Sequence, residues 1–374
     1  MNIKIGIVGL PNVGKSTLFN ALTKSTKAAA ENFPFCTIDP NVGIVEVPDA
    51  RIDKLVEIVQ PQKVQYSTIE FVDIAGLVEG ASKGEGLGNQ FLSHIRECSA
   101  IAHVVRAFDS NDIHHVDGSI NPKRDLETIM TELILADLES ANKQAERLAK
   151  KIKAKDKEAM ADMEILNKIK AYLDGGKLPF NFETQLETPE ELERFKHFHF
   201  LSTKKFMVIA NVSEDEYASF DLEAFRAKVK PEFLTPEEFA QIPIVPICAK
   251  FEADLIDMDA EETAAFMEEI GAQKSGLENL AQAGFDLLGL QQYFTAGVKE
   301  VRSWTIKKGS TAPQAAGEIH TDFEKGFIKA DTIKFEDFVA HGGEAGAKEA
   351  GKMKMEGKEY IVQDGDIMHF KFNV

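Results

Sequence analysis

Gly9-Leu-Pro-Asn-Val-Gly-Lys-Ser-Thr17 sets the reading of the whole chain. Gly9, Gly14, Lys15 and Ser16 stand in the spacing G-x-x-x-x-G-K-S. An apolar run over residues 3–8 comes before it, and an apolar-periodic segment, Leu18-Phe-Asn-Ala-Leu22, follows. Strand, tight loop and helix in that order are the context of a phosphate-binding loop. Successive main-chain amides from Asn12 to Thr17, Val13 and Gly14 included, turn inward and surround phosphate oxygens. The helix start adds free N–H donors and a favourable dipole. Lys15 reaches the β- and γ-phosphates as a catalytic cation, and the Ser16 hydroxyl is a magnesium ligand.

The 374 residues leave room for two or three domains, and 44% hydrophobic content allows a sizeable core. Asp and Glu number 61 against 43 Lys and Arg, for a net charge of −18. A chain this acidic meets nucleic acid only through a local patch, and no DNA partner is expected. Cys36, Cys98 and Cys248 are odd in number and far apart, which excludes a disulfide framework and points to a reducing, cytoplasmic location. The N-terminus carries Lys4 and runs straight into the phosphate loop, unlike a signal peptide. No run approaches the ~20 apolar residues that a membrane-spanning helix needs.

Apolar β-rich runs recur at 3–8, 43–47, 69–74, 101–108, 206–210 and 242–247. Several are near-continuous rather than alternating, as strands buried on both faces should be. Helical stretches between them predict an α/β fold with a mostly parallel sheet. Strand signals vanish between Arg124 and about Gly176. There, Leu138, Ala141, Ala145, Leu148 and Ile152 form a helical seam, and Ile165, Ile169 and Tyr172 repeat the spacing. The pattern predicts an inserted antiparallel helical hairpin over 124–199, dividing a nucleotide-binding domain of residues 1–123 and 200–276. Arg147, Lys150, Lys151, Lys153, Lys155 and Lys157 crowd its turn. They read first as a solvated helix tip, with a nucleic-acid contact as the alternative. Beyond a helix starting near Gly276, short β-like runs at 303–306, 326–330, 359–362 and 367–372 predict a small α+β module over 277–374.

Three features narrow the chemistry to a nucleotide switch. Asp73-Ile-Ala-Gly76 closes a predicted strand: Asp73 can hold magnesium through a water, and Gly76 lets an amide approach the γ-phosphate. Thr37, in the loop Asn32-Phe-Pro-Phe-Cys-Thr37, can complete the magnesium shell only when a γ-phosphate is present. Asn211-Val212-Ser213-Glu214 follows a strand where guanine-nucleotide switches carry Asn-Lys-x-Asp. With Val212 for Lys and Glu214 for Asp, the carboxylate no longer fits the paired guanine donors, and adenine becomes a plausible base. Ala249 and Lys250, after the next strand, line the base pocket.

These motifs, together with Gly80-Ala-Ser-Lys-Gly-Glu-Gly-Leu-Gly-Asn-Gln90 and Ala312-Pro-Gln-Ala-Ala-Gly-Glu-Ile-His-Thr-Asp-Phe-Glu-Lys-Gly-Phe-Ile328, resemble the YchF-type Obg-like ATPases across essentially the whole chain. The resemblance implies an Obg-type P-loop domain, a coiled-coil insertion and a C-terminal TGS domain of ubiquitin-like shape. It also implies ATP in preference to GTP, magnesium dependence, and work with ribosomes in translation and stress responses. Leu77 stands where many GTPases carry a water-orienting Gln, so slow intrinsic turnover is expected. His115, the histidine that precedes Val116 as in the family, is the candidate for positioning water. Asn12 is a candidate potassium ligand over the β–γ bridge. A GTP-specific switch, and an RNA- or ribosome-bound scaffold with a structural nucleotide, are the alternative readings.

Overall fold

Six of the apolar runs become strands of one sheet. In chain order the elements are β1 (Lys4–Val8), β2 (Val42–Glu46), β3 (Val64–Gln65), β4 (Thr68–Asp73), β5 (Ala100–Arg106), β6 (Lys205–Asn211) and β7 (Ile244–Ile247). All but β3 belong to this sheet, ordered β2-β4-β1-β5-β6-β7. Only β2 runs antiparallel, against β4; every other pairing is parallel. All seven residues of β5 are buried, which is why its sequence shows no alternation. The computed structural model describes residues 3–30, 41–75, 87–108 and 120–373. Thr37, Gly76, Leu77 and His115 lie outside the described residues.

Helices α1 (Lys15–Ala30), α2 (Ala50–Val59) and α3 (Leu87–Glu97) precede the hairpin formed by α4 (Pro122–Lys153) and α5 (Lys157–Asp174), with α6 (Pro189–Lys196) beside α5. Local signals set the hairpin's ends. The Asn121 side chain accepts from Arg124 N with Pro122 in the first turn, Asp156 caps α5, and Gly175 closes it. At 32 residues, α4 is about 48 Å long by its axial rise. Its base is bolted to the sheet domain by Asp137, which accepts from Leu201 N, Ser202 N and the Ser202 hydroxyl at 2.6–2.9 Å. Burial raises this carboxyl's pKa, and the three donors oppose the shift.

A second sheet holds β8 (Leu290–Ala296), β9 (Val301–Lys307), β10 (Phe327–Ile333), β11 (Lys354–Glu356) and β12 (Ile367–Phe372). Its order is β11-β10-β12-β8-β9-β3. The helix Ala312–Ile319 covers one face over Tyr293, Met368 and Phe370, giving the small α+β module. Two details differ from the sequence reading. Residues 359–362 form no strand, only a bridge of Ile361 to Thr311. The strand Leu290–Ala296 was not foreseen, because five of its seven residues are buried in a row and lack alternation.

The expected boundary at residue 277 is crossed in both directions. The helix Gly276–Leu287 packs on the first sheet, where Gly284 approaches Ile5, Ile69 and Met207. Conversely, β3 pairs with β9, and α2 buries Ile52 and Leu55 among Phe294, Val301 and Phe338. Two fully buried aliphatic side chains contribute on the order of 1.5–3 kcal/mol each.

Glu252, in the helix Ala249–Leu255, ties that helix to the start of the helix Gly276–Leu287. It accepts from Gly276 N at 2.7 Å and Leu277 N at 3.2 Å. A Cβ on residue 276 would sit 2.8 Å from its Oε1, so glycine permits the approach. Burial lifts the Glu252 carboxyl to about 7, and the two amides pull the other way. A carboxyl raised in the folded state holds a proton that the unfolded chain has lost. Its contribution is therefore complete below the unfolded value and disappears as pH rises through about 7. The stability gap between the parent and Glu252→Gln should narrow from pH 5 to pH 8 in thermal melts. A gap that widens with pH would show an ionised Glu252 held by the helix start.

Candidate nucleotide-binding site

Parallel strands bring the chemistry-bearing segments to one edge. The loop after β1 turns through Asn12 (φ 66°) and Gly14 (φ 98°) into α1. The Leu18 N–H donates to Gly14 O at 3.0 Å and starts the helix. Asn accepts the left-handed conformation better than most side chains do, and at Gly14 a side chain is excluded outright. A Cβ on residue 14 would sit 2.0 Å from the Asn211 amide nitrogen.

Asn211, at the end of β6, donates to Val13 O at 2.9 Å and accepts from Ala249 N at 3.3 Å. Its side chain thus braces the phosphate loop against the loop after β7 while standing on the wall of the cavity at this edge. Val212 is 1% exposed, packs with Cys248 and Phe251, and stands on the wall of the same cavity. Glu214 and Lys250, expected at the base, are joined by an ion pair of 2.7 Å. Its carboxylate holds the Lys250 ammonium's pKa above its ordinary value.

These segments line a cavity of about 350 Å³, with Thr17, Ser213 and Ala249 also on its wall. Its size falls in the usual range for small-molecule pockets. Phe108 adds an aromatic wall that the motif reading missed, with the Arg106 guanidinium 4.5 Å from its ring centre. The signal was its place just beyond β5, at the same sheet edge as the loop.

Lys15 meets Asp73 across the mouth of the loop, Nζ to Oδ1 at 2.5 Å. Asp73 ends β4, where its N–H donates to Asn41 O at 3.0 Å. Ser16 and Thr17 are exposed beside the pair. Loops of this kind generally hold their nucleotide with magnesium. Oxygen donors from Asp73 and Ser16 suit that hard cation. No cluster of three or more His, Cys, Asp or Glu that could hold a metal occurs among the described residues. Two side-chain donors fit an ion whose remaining ligands are phosphate oxygens and water. None of the described helices is long and apolar enough to cross a membrane.

Comparison with known proteins agrees with this geometry. Residues 4–158 match the family described as 50S ribosome-binding GTPase, and residues 290–373 match YchF-GTPase_C, described as a protein of unknown function. The ribosome-binding ATPase YchF of Bacillus subtilis is 53% identical, with all 374 residues of this chain and the whole of that protein covered. The ribosome-binding ATPase YchF of Escherichia coli O157:H7 is 54% identical over the same full coverage. The solved structure of the Schizosaccharomyces pombe YchF GTPase superposes with a TM-score of 0.85 at 38% identity, covering 99% of this chain and 98% of that one.

Replacing Asp73 removes the internal partner that a triphosphate must displace from Lys15. Asp73→Asn should tighten nucleotide binding several-fold in the presence of a chelator, measured by calorimetry, while lowering magnesium-dependent hydrolysis. Unchanged affinity in chelator would mean that the Lys15–Asp73 pair does not compete with phosphate.

Proposed function

The chain belongs to the YchF family of ribosome-binding ATPases, and from that membership we propose that it binds ATP at residues 9–17, hydrolyses it slowly with magnesium, and associates with ribosomes in the control of translation and stress responses. The observation that carries the site assignment is the Lys15–Asp73 pair at the mouth of a phosphate loop braced by Asn211.

A triphosphate entering the loop takes Lys15 away from Asp73. The amides from Asn12 to Thr17 take the phosphate oxygens, and Lys15 spans the β- and γ-phosphates. Magnesium, when bound, neutralises charge on the phosphates, with the Ser16 hydroxyl and Asp73 as its protein-side oxygens. Thr37 is assigned to the magnesium shell when a γ-phosphate is present, Gly76 to the γ-phosphate, and His115 to the attacking water. Positive charge and donors already in place lower the barrier because they need no reorganisation during the reaction. With Leu77 in place of a hydrogen-bonding side chain, turnover stays slow without an activator.

The base preference follows from the Glu214–Lys250 pair. Lys250 engages one carboxylate oxygen, Oε2, and leaves the other for a single donor. Adenine presents one exocyclic amine, whereas guanine presents two adjacent N–H groups that call for both oxygens. The pair is exposed and so weak on its own, which makes ATP the preferred nucleotide and GTP a poorer one rather than an excluded one. Phe108 supplies a face for either purine. The cytoplasm is where such a protein meets its ribosomes.

Lys15→Ala should abolish nucleotide binding and turnover in a filter assay that retains the parent's ATP. In competition, ATP should displace labelled ATP from the parent at lower concentration than GTP does. A Lys15→Ala protein that binds and turns over ATP like the parent removes the assignment. In the same hydrolysis assay, His115→Ala should lower ribosome-stimulated turnover, and exchanging potassium for sodium should slow it if Asn12 holds that ion. Unchanged rates remove those two roles separately.

A further inference from the structure

Residues 42–73 run from β2 through α2 and β3 to β4, and they belong to two bodies at once. Their outer parts, β2 and β4, sit in the nucleotide-binding sheet. Their middle is built into the C-terminal sheet. Val64 and Gln65 pair with Val301 and Arg302, and Val301 N donates to Lys63 O at 3.0 Å. Arg51 reaches Asp364 at 2.8 Å and lies 5.1 Å from the Phe294 ring centre. At the point where β4 begins, Ser67 and Ser303 are both buried. The Ser67 N–H donates to Ser303 Oγ at 2.6 Å, and the two hydroxyls lie 3.0 Å apart.

Asp73 is the sixth residue beyond that anchor, at the far end of β4. A paired strand resists compression and bending, so a shift at one end is felt at the other. Asp73 must leave Lys15 when a triphosphate arrives. Its strand is gripped by β1 near one end and by Ser303 at the other. We propose that Ser303 and Arg51 are positioning residues for Asp73, holding the strand that carries it in register with the C-terminal sheet, so that occupancy of the triphosphate site and the placement of that sheet bias each other. This rests on the nucleotide reading of the site. Linkage makes the coupling reciprocal: whatever grips the C-terminal sheet acts on Asp73 with the same free energy.

The test uses the full chain, magnesium and a non-hydrolysable ATP analogue. Hydrogen exchange should change in peptides covering 42–47 and 68–73, and in step with them over 301–307. Ser303→Ala should keep the first change and lose the second. It should also raise the magnesium concentration for half-maximal ATP hydrolysis about fivefold, the scale of one lost hydrogen bond, with ATP affinity in chelator unchanged. Ser303→Thr, which restores the hydroxyl, should recover both signatures. Asp364→Asn is the second variant: it weakens the Arg51 grip at an exposed site without opening a buried gap, and should give the same pattern in smaller degree. A parent whose 301–307 peptides ignore the analogue, or a folded Ser303→Ala with the parent's magnesium dependence, overturns the inference alone. A parent that binds no nucleotide overturns the reading of the site, and the inference with it.

Discussion

Parallel pairing of β4, β1, β5, β6 and β7 is the constraint on which the site depends. Strands that run the same way end at the same edge, and the crevice outside their carboxyl ends is where ligands bind in such sheets. Segments more than 200 residues apart in the chain, from Gly14 to Lys250, therefore share one cavity wall. That edge gathers what strand ends can offer: main-chain amides after β1, an aromatic ring beyond β5 and an amide side chain at the end of β6, with the Asp73 carboxylate at the end of β4 paired to Lys15 beside them.

Within that edge two polar contacts divide the work. Asn211 is spent on architecture, because its two hydrogen bonds join main-chain atoms of separate loops. Such a brace costs nothing when ligand arrives and keeps the loop's amides aimed in advance. The Lys15–Asp73 pair is the opposite kind of contact. It joins two opposite charges across the mouth of the loop, and the proposed phosphate contact of Lys15 requires it to open. Both ends are partly solvated, so its intrinsic strength is modest and within reach of a competing polyanion. A site with a fixed brace and an exchangeable pair is preorganised where it binds and responsive where it senses.

Local patterns made most of this architecture legible. The phosphate loop, six strands of the first sheet and both hairpin helices are written as short-range spacing, caps and breakers, and all appear near where those signals place them. What stayed hidden depends on partners distant in sequence. β3 has two residues and gains its meaning only from β9, more than 200 positions away. Residues 50–59 read as an ordinary amphipathic helix, and nothing local says that Ile52 and Leu55 face the C-terminal sheet rather than the first one. β8 lacks alternation because five of its residues are buried in a row, so only Gly289 marks where the helix before it stops. At the site, the motif names Asn211 and Glu214, but only geometry shows the first engaged with the loop and the second held by Lys250. Phe108 belongs to no motif at all.

The same distinction between local and global explains how an acidic chain can still present positive charge at one place. A net charge of −18 opposes approach to a polyanion at long range, yet that repulsion is screened within about 8–10 Å at physiological salt. At contact only the nearest charges count. Arg147, Lys150, Lys151, Lys153, Lys155 and Lys157 are all exposed at the hairpin turn, and no ion pair to any of them occurs among the described residues. Lysines elsewhere on the hairpin, Lys143, Lys168 and Lys170, each have a carboxylate within 4 Å. Pairing thus neutralises the flanks and leaves the tip positive, carried away from the acidic body on a helix about 48 Å long. The charge excess and the basic tip are compatible because distance and screening keep them from cancelling.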